Sequence, residues 1–176
     1  MKLPLELVAP DLRFFTSFAE SNREWNGKHQ DGAGLPDWAE VQSQDGFAKV
    51  VEYLVRSETK SEPGLVTCTY RWIVSGDTYL GSIALRHELT PYLAERGGHI
   101  GYGIRPSARR LGYASWALAQ IRPIARDHGL SRVLVTCNDT NIGSARTIEK
   151  NGGILESIRL GDDGVHFRRY WIDLTI

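Results

Sequence analysis

Apolar residues along the chain recur with two different periods, and the places where the period changes mark the elements. After Asp11, the run "LRFFTSFAESN" repeats Leu12, Phe15 and Phe18/Ala19 at helical spacing, with Asp11 in position to cap the first turn. "DGFAKVVEYLVRS" predicts a second helix with Phe47, Val50/Val51 and Leu54 on one face. Between them, "NGKHQDGAGLPDW" has no period and reads as a loop, either a mobile lid on the substrate side or a plain surface connection. Alternation then takes over: "LVTCTYRWIV", a turn at "SGD" and "TYLGSIALRH" predict a β-hairpin. Beyond the linker "ELTPYLAERGG", "HIGYGI" is a strand. "YASWALAQIRPIARDHG" is a helix with Ala114, Ala117/Leu118, Ile121 and Ala125 on one face, Pro123 loosening its last turn and Gly129 stopping it. The continuous apolar run "SRVLVTC" suits a central strand, "NIGSARTIEKNGG" a helix capped by Asn141 and stopped by Gly152, and "ILESIRL" and "FRRYWIDL" two final strands.

Strand, helix, strand, helix, strand is the order of an α/β unit with parallel pairing, which the hairpin in front and the strand pair behind extend antiparallel. The expected fold class is therefore mixed α/β (α+β), with one central sheet of about six to seven strands flanked by about four helices. At 176 residues and 41% hydrophobic content the chain builds one core, so residues 1–176 are expected to form a single domain, helical in its first 64 residues.

Charge and chemistry narrow the function. Twenty-one basic and twenty-one acidic side chains cancel, so no global field draws the protein to nucleic acid or to an anionic membrane, and any anion site is local. Pro4, Glu6, Pro10 and Asp11 interrupt the apolar run that a secretory signal needs, and no 18-residue apolar run occurs, so a cytoplasmic protein is expected. Cys68 and Cys137 lie in strand-like runs and read as buried free thiols. His29, His87, His99, His128 and His166 are scattered without ligand spacing, so no metal is expected.

One stretch carries local chemistry, "GYGIRPSARRLGYAS", where a strand gives way to a helix. The first turn of a helix offers unpaired N–H groups and partial positive charge. Gly112 lets an anion approach the backbone, Ala114 and Ser115 keep the turn narrow, and Arg109 and Arg110 bring full charges, a set that suits a pyrophosphate. The plain alternative is an arginine-bearing surface turn. Other phosphate motifs fail: Gly27-Lys28 is followed by His29 rather than Ser or Thr, and Gly101-x-Gly103 is followed by Pro106 where a dinucleotide fingerprint needs glycine.

The run Arg109-Arg110-Leu111-Gly112-Tyr113-Ala114 resembles the (Q/R)xxGx(G/A) signature of the GNAT acyltransferase superfamily, and Asn141 to Gly152 resembles that family's later NxxSxxxxEKxG helix. Together they cover about residues 65 to 160, and the whole looks like a bacterial GNAT subgroup of largely unassigned substrate. The resemblance implies splayed parallel strands, an acyl-CoA-binding core over 65–176 and an acceptor-side loop in 1–64. It further implies direct acetyl transfer from acetyl-CoA to the amine of a small molecule or peptide, without metal or nucleic acid, by a monomer or homodimer. Cofactor contacts then fall on Arg109, Arg110, Leu111, Gly112, Tyr113, Ala114 and Ser115, with the Ile104 amide facing the thioester oxygen and Asn141 either contacting cofactor or only capping its helix.

Two catalytic positions depart from the family's pattern. His99 stands where a strand carboxylate is often the base, so it is a base candidate or an ordinary strand-start histidine; Glu88 and Glu95 are further candidates. Ile148 occupies the position of the family's proton-donating tyrosine, leaving Ser144 as a hydroxyl that orients water or merely caps. Tyr102, Tyr113 and Tyr170 read as packing, as do Trp72, Trp116 and Trp171, whereas Trp25 and Trp38 flank the loop as candidates for a substrate wall. Loss of the acid and of the strand carboxylate motivates a rival reading, an acyl-CoA-binding module without turnover. A third reading, nucleic-acid binding through Arg109, Arg110, Arg168 and Arg169, has no motif behind it.

Overall fold

A computed structural model describes residues 3–175. Seven strands form one sheet in the order β1-β2-β3-β4-β5-β7-β6: β1 Leu5–Val8, β2 Cys68–Ser75, β3 Thr78–Arg86, β4 Ile100–Ile104, β5 Arg132–Asn138, β6 Ile154–Leu160 and β7 His166–Asp173. The helices are α1 Phe15–Trp25, α2 Gln44–Arg56, α3 Pro91–Glu95, α4 Tyr113–Asp127 and α5 Ile142–Lys150. β4 and β5 are parallel and the other neighbours antiparallel, as the order of elements predicts.

Local signals explain most boundaries. Asp11 accepts a hydrogen bond from the Arg13 amide and starts a short 3-10 turn that leads into α1; Ser43 caps α2 and Asn141 caps α5. α4 runs through Pro123 to Asp127 and Gly129 follows in the left-handed region. Three features depart from the sequence reading. β1 pairs with β2 inside the part expected to be helical, because "LELV" between Pro4 and Pro10 is too short to show alternation. α3 forms inside the linker, capped by Thr90 with Pro91 in its first turn. The last two strands do not lie in chain order: β7 is paired on both sides, by β5 and β6, so the free edge at that end of the sheet belongs to β6.

Each sheet face has its own core. α4 and α5 pack on Ile73, Ile83, Leu85, Ile100, Val133, Val135, Tyr170 and Ile172, while α1 and α2 cover Trp72, Val74 and Tyr79. Trp72 is fully buried among Phe14, Phe18, Phe47 and Tyr79, with ring centroids 5.0–6.0 Å apart. Removing a ring from such a cluster costs about 3–5 kcal/mol.

Candidate active site

β4 and β5 share a single paired position, Ile100 with Val135, and then diverge. Antiparallel pairing alternates the direction of the backbone groups: His99 and Arg105 bond to β3, at Arg86 and Leu80, so the groups of the even residues Tyr102 and Ile104 face the gap toward β5. The Ile104 carbonyl accepts from Arg109 Nε at 3.1 Å, and its amide looks into the gap. A cleft of about 1770 Å³ passes through the divergence.

His99 closes the root of this gap. Its amide donates to the Leu134 carbonyl at 2.8 Å, and the Leu134 amide donates to His99 Nδ1 at 2.9 Å, so the imidazole spends a lone pair on β5. The ring is buried and does not line the cleft. Burial and, after it, the Arg86 guanidinium push its pKa down to about 4. The base role expected for His99 therefore meets a physical objection: its acceptor nitrogen is occupied and its ring faces away from the reaction space.

Where β4 ends, Pro106–Ala108 makes a 3-10 turn and the chain reverses through Arg110 (φ 66°) and Gly112 (φ 83°). A side-chain acceptor caps α2, α3 and α5, at Ser43, Thr90 and Asn141; at α4 the cap position is Gly112, which has no side chain to make such a cap. Those first-turn amides and the helix dipole open on the cleft, and a Cβ on Gly112 would meet nothing within 4 Å. Arg109, Arg110, Gly112, Tyr113, Ala114 and Ser115 all line it, as does Asn141. Leu111 is the exception: its side chain is 58% exposed and turns toward a shallow depression beside Arg105. Arg109 is held in place, its guanidinium 4.7 Å over the Trp25 ring. Glu24 braces the approach to the turn, accepting from Arg105 Nε at 2.6 Å and from the Ser107 amide at 2.9 Å.

On the opposite side of the gap, α5 presents Ser144, whose Oγ lies 2.7 Å from the Tyr102 phenol oxygen. Both residues and Cys137 line the cleft. Cys137 is thus half-buried in the cleft wall rather than in the core, whereas Cys68 is buried. Ile148 is wholly buried and faces the sheet. Tyr102, read from sequence as packing, belongs to the site. Its signal was the alternation of β4, which puts it on the same side as Ile104.

The other face of β4 carries Gly101 and Gly103, and the loop after α1 lies directly on them. A Cβ on Gly32 would fall 2.3 Å from the Gly101 carbonyl oxygen, and one on Gly103 would fall 2.7 Å from the Asp31 carbonyl oxygen. This close packing makes the loop a fitted wall. Trp25 lines the cleft beside it, but Trp38 stands 55% exposed, edge-on to Tyr53 and away from the cleft. α3 supplies the facing wall, where Arg169 of β7 donates to the carbonyls of Ala94 and Glu95 and pairs with Glu156 at 2.6 Å. Glu95 borders the cleft, paired with Arg159; Glu88 does not. Asp31, Asp162 and Asp163 complete the carboxylates on this side, Asp163 tied to Arg96 at 2.7 Å. Arg168 pairs with Asp139 and Arg169 is buried, so the four arginines considered for nucleic acid form no common face.

The acetyltransferase (GNAT) domain family matches residues 9–154 of the chain. The chain belongs to the GNAT acetyltransferase family. A search of curated proteins gave no match. Among solved structures, the ribosomal L7/L12 alpha-N-protein acetyltransferase RimL in complex with coenzyme A is 18% identical, with a TM-score of 0.68 over 98% of both chains. The microcin self-immunity acetyltransferase MccE in complex with acetyl-CoA and AMP is 15% identical, with a TM-score of 0.68 over 96% of this chain and 92% of that one. An acetyl transferase from Salmonella typhimurium that modifies the N-terminal serine of 50S ribosomal subunit protein L7/L12 is 19% identical, with a TM-score of 0.64 over 98% and 99% of the two chains. At these identities the likeness is one of fold, and it includes the parallel β4–β5 pair that opens the GNAT cleft.

Proposed function

We propose that this GNAT protein transfers an acetyl group from acetyl-CoA directly to an amine of a small molecule or peptide, its whole chain acting as one domain. The observation that carries the reading is the uncapped start of α4 opening on the divergence of β4 and β5. One stretch of cleft therefore offers the backbone of a helix start, with Arg109 and Arg110, to a pyrophosphate, and unpaired strand edges to an extended arm. In this reading the amides from Arg110 to Ser115 hold the diphosphate, Leu111 taking part through its backbone only, and Asn141 combines its cap with a cofactor contact. The Ile104 amide stabilises negative charge on the thioester oxygen as the amine attacks. Bound acetyl-CoA supplies an activated acyl group on a thiol that leaves readily.

The wall formed by the loop, α3 and the turn after β6 receives the amine. Its carboxylates Asp31, Glu95, Asp162 and Asp163 favour an incoming ammonium, whose proton passes to them through cleft water; His99 takes no part. Hydroxyls of Tyr102 and Ser144 on the cleft support turnover over the binding-only module, because the buried Ile148 leaves their side of the gap free. A cytoplasmic location, where acetyl-CoA is at hand, goes with this reading; among the described residues no helix is long and apolar enough to cross a membrane.

Titration calorimetry with acetyl-CoA followed by an amine panel, read by mass spectrometry for acetylated product, tests the proposal. Micromolar binding with acetylated product is the expected result; absence of acetyl-CoA binding removes it.

A further inference from the structure

We propose that Tyr102 is a positioning residue for acetyl transfer: its phenol donates to Ser144 Oγ and thereby directs the single hydroxyl proton of Ser144 at the departing sulfur. The inference rests on the transferase reading and names a group that reading does not require.

Either oxygen of the Tyr102–Ser144 pair can donate, and the shorter contact together with donor strength favours the phenol as donor. The phenol oxygen has two neighbours within reach, Ser144 Oγ at 2.7 Å and the Ser144 carbonyl at 3.4 Å, and a carbonyl only accepts. Both acceptors open to the phenol therefore belong to Ser144. A phenol is also a better donor than an aliphatic alcohol, and burial raises the Tyr102 pKa further, so its proton stays in place at neutral pH. With Oγ engaged as acceptor, the serine proton is turned away from the phenol, on a side chain that lines the cleft. The Cys137 thiol lies on the same cleft wall, where burial raises its pKa and the nearby Ser144 hydroxyl works against that rise. A serine in the first turn of a helix otherwise turns freely or bonds back to its own backbone. The phenol from β4 removes that freedom.

In the reaction the amine nitrogen forms its bond to the acetyl carbon, the carbon–sulfur bond breaks, and the electron pair goes to sulfur. Ser144 stabilises that charge by hydrogen bonding without ionising. The proton shed by the amine reaches cleft water, and the thiolate is protonated from solvent, which completes amide and thiol.

A double-mutant cycle on acetyl-CoA and the amine substrate tests this. Tyr102→Phe is expected to lower kcat about tenfold and Ser144→Ala about thirtyfold, with calorimetric acetyl-CoA affinity held within about twofold, and the double variant to match Ser144→Ala alone. Unchanged kcat in Tyr102→Phe, additive losses in the double variant, or a parallel loss of acetyl-CoA affinity would each overturn the proposal. Should Tyr102→Phe fail to fold, 3-fluorotyrosine at position 102, a stronger donor of nearly the same shape, is expected to raise kcat in the wild-type chain and leave it unchanged in Ser144→Ala; equal responses in the two overturn the proposal. Wild-type protein that binds acetyl-CoA and acetylates no amine removes the transferase reading and this inference together, whereas active wild type with an additive cycle removes the inference alone.

Discussion

On the α4–α5 face of the cleft, the groups proposed to hold acetyl-CoA come from two short stretches, 101–115 and 141–147, and their charges are Arg109, Arg110 and Arg146. On the α1 face, the wall proposed for the acceptor comes from three distant segments, the loop after α1, α3 and the turn after β6, and its carboxylates lie among Lys28, His29, Arg86 and Arg96. The first is made of backbone amides at a helix start and needs little support beyond the Glu24–Arg105 brace. The second exists only because glycine lies on glycine at Gly32 and Gly101 and because the buried Arg169 holds α3 down. A site made of local backbone tolerates drift in the surrounding fold; one made of docked segments depends on each contact between them.

Damage confined to one face should therefore leave the other working. The largest effect is expected from Gly112→Pro, which replaces a left-handed residue by one locked near φ −65° and removes an amide: acetyl-CoA affinity in calorimetry falls at least about a hundredfold. Retained affinity would mean that the α4 turn is not the cofactor site. Gly32→Ala brings a Cβ onto the Gly101 carbonyl at a left-handed position, so the loop must lift. The acceptor KM is expected to rise about tenfold with acetyl-CoA affinity within about twofold, a split equivalent to the 1–2 kcal/mol of such backbone strain. Equal loss of both would join the two faces into one unit. Arg169→Met frees the carbonyls of α3 and leaves Glu156 with only Trp171, Ser157 and the more distant Arg159 as partners. Denaturant titration should show about 1–3 kcal/mol of lost stability, discounted because Glu156 is partly exposed, and steady-state kinetics a rise in acceptor KM of about threefold.

The smallest effect concerns pH. His99 titrates near 4 in the fold against an ordinary value of 6.5, so between these values the unfolded chain binds more protons than the native one. Stability is complete above about pH 6.5 and declines as pH falls toward 4. His99→Gln should flatten that part of a melting-temperature-against-pH curve while keeping the acid limb of the pH–rate profile. Loss of the acid limb would restore His99 as the base.

How much of this was legible follows the same division. Asp11, Asn141 and the α4 turn could be read because a cap or a helix start is a matter of a few consecutive residues. His99 was noticed for its place before "IGY", yet which way an imidazole turns depends on whether an amide of β5 lies beside it, here that of Leu134. Tyr102, two residues from Ile104, could have been placed by alternation, but its partner is 42 residues away on α5. Trp38 sits next to the loop in sequence and outside the cleft in space.

By itself the sequence determined the order of helices and strands, the mixed sheet with its parallel pair, and the glycine–arginine turn proposed to hold an anion, since hydrophobic period, capping and the helix dipole act over a few residues. Tertiary structure decided where β4 parts from β5, which hydroxyls face the gap, that His99 closes it and that α3 and the loop after α1 form the facing wall. Those outcomes hang on where one strand stops pairing with its neighbour, a balance of contacts summed over segments far apart in the chain.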